Sequence, residues 1–119
     1  MRYLLLILSI FFVSCVKSQD VKSISTTELK QLLSKEKIQL LDVRTPDEIS
    51  QGFIKSAKFA NFFDTDFYQS ASAQLDKSKP VYLYCRSSNR SSKAAAILKE
   101  KGFKVYFLEG GYTQWKFNN

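Results

Sequence analysis

Apolar residues along this chain come in two rhythms, and their alternation predicts the architecture. Ile38-Gln39-Leu40-Leu41-Asp42-Val43, Val81-Tyr82-Leu83-Tyr84 and Val105-Tyr106-Phe107-Leu108 are short, nearly unbroken apolar runs rich in branched and aromatic residues. Such runs read as buried strands. Val21 to Ile24 and Ala57 to Ala60 are weaker runs that read as further short strands. Between the strands, apolar residues fall at helical spacing. Ser25-Thr26-Thr27-Glu28 is a capping box followed by Leu29, Leu32 and Leu33, which predicts a helix over 26–35. Thr45-Pro46-Asp47-Glu48 is a second capping box with proline at the first helical position, predicting a short helix from Pro46 to Gln51 that stops at Gly52. Asp64 is expected to cap a helix reaching Gln74. Ser91 to Lys101, with Ala94, Ala95, Ala96, Ile97 and Leu98, reads as a helix ended by Gly102. Gly110-Gly111 turns into a short terminal helix carrying Trp115. Strand and helix alternate throughout, which predicts an α/β fold with a mostly parallel sheet and a ligand site beyond the carboxyl ends of its strands.

The first residues follow another pattern. Met1-Arg2 precedes an apolar run from Tyr3 to Val13, and Lys17-Ser18-Gln19-Asp20 breaks it. This is the shape of a secretory signal, and the run is short for a membrane span. Phe12-Val13-Ser14-Cys15 resembles the lipobox of bacterial lipoproteins, in which the chain is cut before a cysteine that then carries lipid. Phe12 stands where leucine is usual; cleavage after Ser18 is the alternative. The expected organisation is a signal peptide over 1–14 (or to 18), a tether over 15–20 and a domain over 21–119. That implies export to the bacterial cell envelope or periplasm, with membrane contact through the lipid anchor only.

A length of 119 residues with 45% apolar content suits one domain, and nothing in the pattern asks for an obligate dimer, so a monomer is expected. The formal charge is +7, but the basic residues are scattered. Nucleic acid is therefore not expected, and the positive field is read as attracting small anions. The absence of histidine removes Ser–His and Cys–His catalysis. Two distant cysteines make no zinc site, so neither metal nor cofactor is expected. With Cys15 lipidated or removed, Cys85 is the single free thiol. A lone thiol kept in an oxidising compartment points to chemistry, against the alternative of an inert buried side chain.

Cys85 follows the Val81–Tyr84 run and precedes Arg86-Ser87-Ser88-Asn89-Arg90, after which Ser91 and Ser92 open a helix. Strand, tight polar turn and helix N-terminus in succession form a place for an anion. Backbone N–H groups, the positive end of the helix and the Arg86 and Arg90 guanidinium groups all stabilise a sulfur anion without a general base. The same cradle suits a sulfonate, sulfate or phosphate. Asp42 and Arg44 end the preceding strand. They are read as structural residues near the site, Asp42 orienting loop backbone and Arg44 pairing with Glu48. Trp115 is assigned to core packing, and Phe62, Phe63, Phe67 and Tyr68 to a packing face or to acceptor docking.

Taken in order, Leu41-Asp42-Val43-Arg44, Glu48, Gly52-Phe53-Ile54, Ala57, Tyr84 to Ser91, Leu108-Glu109-Gly110-Gly111 and Trp115 resemble the rhodanese-like domain over about residues 21–117. The resemblance implies a five-stranded, mostly parallel sheet flanked by helices on both faces. It also implies a sulfurtransferase in which Cys85 takes a sulfane sulfur from a donor such as thiosulfate, becomes a persulfide and passes the sulfur to a thiophilic acceptor. Carried over, the N–H groups of Arg86, Ser87, Ser88, Asn89 and Arg90 hold the persulfide, Arg86 meets the donor's sulfonate and Arg90 braces the loop. The partners implied are a small anionic sulfur donor and a thiol acceptor such as a thioredoxin-like protein. The six residues from Cys85 to Arg90 match the sulfur-transferring members. Related phosphatases use a loop one residue longer, which leaves phosphatase or arsenate reductase chemistry as a lesser alternative. A non-catalytic binding or redox-sensing module is the main alternative reading. Two departures stand out: Ser88 stands where a glycine is usual and would be strained if that position needs a positive φ, and Phe53 replaces a histidine that the sulfur chemistry does not use.

Overall fold

The structure is a computed structural model that describes residues 20–118. The expected signal, the tether up to residue 19 and Cys15 lie outside the described residues. Ten elements alternate: β1 (Lys22–Ile24), α1 (Thr26–Lys35), β2 (Gln39–Asp42), α2 (Pro46–Ser50), β3 (Lys58–Phe59), α3 (Phe67–Ser72), β4 (Val81–Tyr84), α4 (Asn89–Glu100), β5 (Val105–Leu108) and α5 (Gly111–Phe117). The strands form one sheet in the order β1-β5-β4-β2-β3, and every pairing is parallel.

Two helix starts follow from local chemistry. Ser25 and Glu28 exchange side-chain-to-backbone bonds at the start of α1, and Thr45 and Glu48 do the same at α2, where Pro46 needs no N–H partner. The stop at Gly52 uses φ +136°, a conformation open to glycine. The expected helix from Asp64 is shorter than its pattern suggests. The Asp64 carbonyl accepts from the Phe67 N–H in a turn, its carboxylate faces Asn61, and α3 begins only at Phe67 without a side-chain cap.

Side chains on a strand alternate between faces, and the three inner strands β2, β4 and β5 are covered on both. Leu41, Val43, Val81, Leu83, Cys85 and Val105 join Phe67, Ala71, Ala94, Ala95 and Leu98 in one apolar cluster, under α3 and α4. Leu40, Tyr84 and Leu108 join Leu29 in the other, with Leu33, Tyr112 and Trp115 packed against it from α1 and α5. Helices thus cover both faces, and Trp115 is a packing residue. Cys85 continues the alternation of β4 by one step, so its side chain points toward the α4 side just where the strand ends.

Candidate active site

The chain leaves β4 at Cys85, turns through four residues and enters α4 at Asn89. Cys85 is 1% exposed. Its Sγ lies 3.3 Å from the Ser91 backbone nitrogen and 3.5 Å from the Ser91 hydroxyl. Ser88 is the N-cap residue of α4, yet its side chain does not cap the helix. The sulfur occupies that role instead, taking the N–H of the third helical residue, where a capping oxygen normally sits. A negative charge there meets the positive end of the helix.

The loop carbonyls are drawn outward. The Cys85 carbonyl accepts from the Tyr112 N–H at 2.8 Å and the Arg86 carbonyl from the Thr113 N–H at 3.1 Å, both donors in the first turn of α5. The Ser88 carbonyl accepts from Ser92 N–H at 3.0 Å. In a planar trans peptide the N–H points opposite to its C=O. The N–H groups of Arg86, Ser87 and Asn89 are therefore turned away from those partners. Among the described residues, none of the N–H groups from Arg86 to Arg90 donates to a protein acceptor. Five neighbouring donors left open beside a sulfur make an anion cradle.

Gly111 makes the close approach of α5 possible. A Cβ on it would lie 2.1 Å from the Ser87 carbonyl oxygen and 2.5 Å from that of Cys85, and its φ is +58°. Ser88 needs no positive φ and is not strained: its φ is −133°. Its hydroxyl accepts from the Gly110 N–H at 2.9 Å, a third tie between the loop and the turn before α5. Ser91, Gly111 and Ser88 Oγ are the features that the sequence reading did not assign. Only the position of Ser91, six residues after Cys85, could have signalled a contact across the loop.

The arginines divide their work. Arg90 forms a two-pronged bond with Glu48 at 2.7 and 2.8 Å. That bond, before any other cause, pulls the Glu48 carboxyl down to about 2 and raises Arg90. The Phe63 ring, 64% exposed, lies 5.2 Å from the same guanidinium, while Phe67 is buried, so the aromatic group splits between packing and rim. Arg86 is exposed and makes no ion pair among the described residues.

Arg44 does not pair with the Glu48 side chain. Its Nε and Nη2 bind the Asp42 carboxylate at 3.0 and 2.8 Å, both residues buried, and Nη2 also donates to the Gly52 carbonyl at 2.8 Å. Burial alone would lower Arg44, but Asp42 outweighs it and the net shift is upward. The i, i+4 spacing misleads here because Arg44 precedes the helix, and Glu48 is held back toward Thr45 by its capping box. Arg44 also lies 4.4 Å from the Tyr112 ring, beside Tyr84. Burial first, then the Asp42 charge, pushes the Tyr84 hydroxyl upward; it accepts from the Ile54 N–H at 2.9 Å.

Both signs of charge lie at the carboxyl ends of the strands: Arg44, Arg86 and Arg90 stand there with Asp47, Glu48, Asp64, Asp66 and Glu109. A groove of about 1240 Å³ lined by Leu33, Ile38, Tyr82 and Trp115, and a smaller one of about 500 Å³ by Ala96 and Phe107, both lie away from Cys85.

A parallel sheet whose central strand ends in a cysteine, followed by a loop of open amides and a helix N-terminus, defines a class of small cysteine-centred α/β domains. Within it, the pattern of the rhodanese-like domain matches residues 25–118, and the chain belongs to that family. It is 35% identical over 98 residues to a putative sulfurtransferase, YtwF, of Bacillus subtilis, covering 82% of this chain and 92% of that one. It is 38% identical over 96 residues to the thiosulfate sulfurtransferase GlpE of Coxiella burnetii, covering 80% and 87%. A crystal structure of a rhodanese-like domain protein from Staphylococcus aureus superposes with a TM-score of 0.72 at 33% identity, covering 80% of this chain and 91% of that one. At the level of the family, these relatives support a rhodanese-type sulfurtransferase.

Proposed function

We propose that this protein moves a sulfane sulfur from a small anionic donor such as thiosulfate to a thiophilic acceptor through a persulfide on Cys85. The observation that carries this reading is the sulfur at the head of α4 with five open N–H groups beside it. The nucleophile is the thiolate. It attacks the outer sulfur of thiosulfate, the S–S bond breaks toward sulfite, and the enzyme is left as Cys85–S–S⁻. The open amides receive the charge on the new outer sulfur, and Arg86 is free to meet the departing sulfonate. The buried Sγ at the base of a short loop favours transfer of one sulfur atom, delivered end-on. Glu48 holds Arg90 as a brace, so donor recognition falls to Arg86.

The acceptor in the cell is a thiol, for which a thioredoxin-like protein is suited by its own reactive thiolate. The N-terminal pattern supports a location in the bacterial envelope on a lipid at Cys15, where the domain works as a monomer. Purified protein treated with thiosulfate should gain about 32 Da, one sulfur, on Cys85. Cyanide should then release it as thiocyanate, and Cys85→Ser should do neither. Failure to gain sulfur from any sulfane donor refutes the enzyme and leaves the binding module.

A further inference from the structure

Ser91 is fully buried, and it presents two groups to the reacting sulfur: its N–H at 3.3 Å and its hydroxyl at 3.5 Å. The same hydroxyl lies 3.3 Å from the Ser88 carbonyl oxygen. One proton thus has two places to go. With a neutral thiol, the S–H donates to Ser91 Oγ and the hydroxyl donates to Ser88. With a thiolate there is no S–H, and the sulfur becomes the stronger acceptor because it is charged. The Ser88 carbonyl keeps its Ser92 N–H partner at 3.0 Å when the hydroxyl leaves. Turning toward sulfur therefore strands no polar group.

We propose that the Ser91 hydroxyl follows the charge on Cys85 Sγ and is a catalytic group for unloading the persulfide. The proposal rests on the sulfur-transfer reading above. In the persulfide the negative charge sits on the outer sulfur, Sγ is neutral, and the hydroxyl rests on Ser88. When cyanide attacks the outer sulfur, a C–S bond forms and the S–S bond breaks. The electron pair of that bond returns to Sγ: Cys85–S–S⁻ and CN⁻ give Cys85–S⁻ and SCN⁻. The hydroxyl bond to Sγ is therefore stronger in the transition state than in the persulfide, which is the condition for accelerating the chemical step. The Ser91 N–H also strengthens as charge returns to Sγ, but it points there in every state, so only the hydroxyl changes partner between persulfide and thiolate. Ser92 Oγ, one residue on, donates to the Asn89 carbonyl at 3.0 Å and shows the plain helical alternative that Ser91 would adopt without the sulfur.

The test separates loading from unloading in the full chain. Wild type, Ser91→Ala and Ser91→Thr are loaded with thiosulfate and freed of donor. Single-turnover unloading by cyanide is then followed as thiocyanate formed and about 32 Da lost. Ser91→Ala should unload about tenfold more slowly, the worth of one hydrogen bond to a charged group, and Ser91→Thr should restore most of the rate. The kcat/KM for thiosulfate, which reports loading alone in this two-step cycle, should not move, because the amides and Arg86 bind the donor. Ser91→Val against Ser91→Thr repeats the comparison at constant volume. In the thiol form, the infrared S–H stretch of Cys85 should rise in frequency in Ser91→Ala, which removes its acceptor. Unloading of Ser91→Ala at the wild-type rate overturns the proposal, as does equal slowing of loading and unloading with a lowered melting temperature. If wild type never gains sulfur, the sulfur-transfer reading falls instead, and the infrared band still reports the hydroxyl contact.

Discussion

Gly111→Ala tests how the loop is held. An added Cβ would sit 2.1 Å from the Ser87 oxygen, 2.5 Å from the Cys85 oxygen and 2.7 Å from the Arg86 carbonyl carbon, all backbone atoms that cannot swing aside. Holding alanine at φ +58° costs about 1 kcal/mol. Moving α5 back to relieve the overlap stretches the Tyr112-to-Cys85 and Thr113-to-Arg86 bonds, worth about 1 kcal/mol each. Residual overlap adds about 1 kcal/mol or more. The sum is about 4 kcal/mol, a large share of the 5–15 kcal/mol that stabilises a typical domain. For a domain of this size it lowers the melting temperature by roughly 20 °C. Gly102→Ala is the control. Its φ is +100°, but the nearest atoms are the end of the flexible Lys77 side chain at 3.8 and 3.9 Å, so it bears the backbone cost alone. Thermal unfolding should rank wild type, Gly102→Ala and Gly111→Ala in that order. Thiocyanate formation, measured cold enough that all three are folded, should fall only in Gly111→Ala, because rotating the carbonyls rotates the open amides with them. Equal melting of the two variants with undiminished sulfur transfer by Gly111→Ala would refute the reasoning.

Two further perturbations probe the ion pairs. Glu48 titrates at about 2 in the folded chain against 4.5 ordinarily, so the folded state binds fewer protons between these values. Its stabilisation is complete above about pH 4.5 and is lost as the pH falls toward 2. It amounts to about 2 kcal/mol once solvent screening is allowed for. Urea unfolding from pH 6 to 2.5 should therefore show a loss that Glu48→Gln does not share; identical slopes would count against the pairing. Asp42→Asn leaves the Arg44 guanidinium buried with the Gly52 carbonyl and two aromatic rings. It should cost about 3 kcal/mol, whereas Asp47→Asn on exposed α2 should stay within about 0.5 kcal/mol. Equal costs in chemical denaturation would discard the view that Asp42 and Arg44 act as a buried pair.

What could be read from the sequence follows a physical boundary. The starts of α1 and α2 were legible to the residue because a capping box closes within three positions, and β4 and β5 because a short run buried on both faces is apolar throughout. The loop around Cys85 was legible as a place where strand meets helix. Its distant partners were not, since each is brought in by a crossover. Arg44 looked adjacent to Glu48, but Glu48 meets Arg90 42 positions away. A serine where glycine is usual left the backbone at residue 88 open; its φ is ordinary, and its hydroxyl is taken by Gly110, 22 positions on. The glycine pair shows the same limit most clearly. Gly110-Gly111 reads as a turn, which accounts for flexibility. Only the fold shows that Gly111 lets the amides of α5 reach the Cys85 and Arg86 carbonyls. Without that contact those carbonyls are free to rotate toward the sulfur, and a loop of the same sequence presents oxygens where an anion needs donors. The polarity of the site is therefore set jointly by the loop that carries the cysteine and by a helix start 26 residues downstream of it.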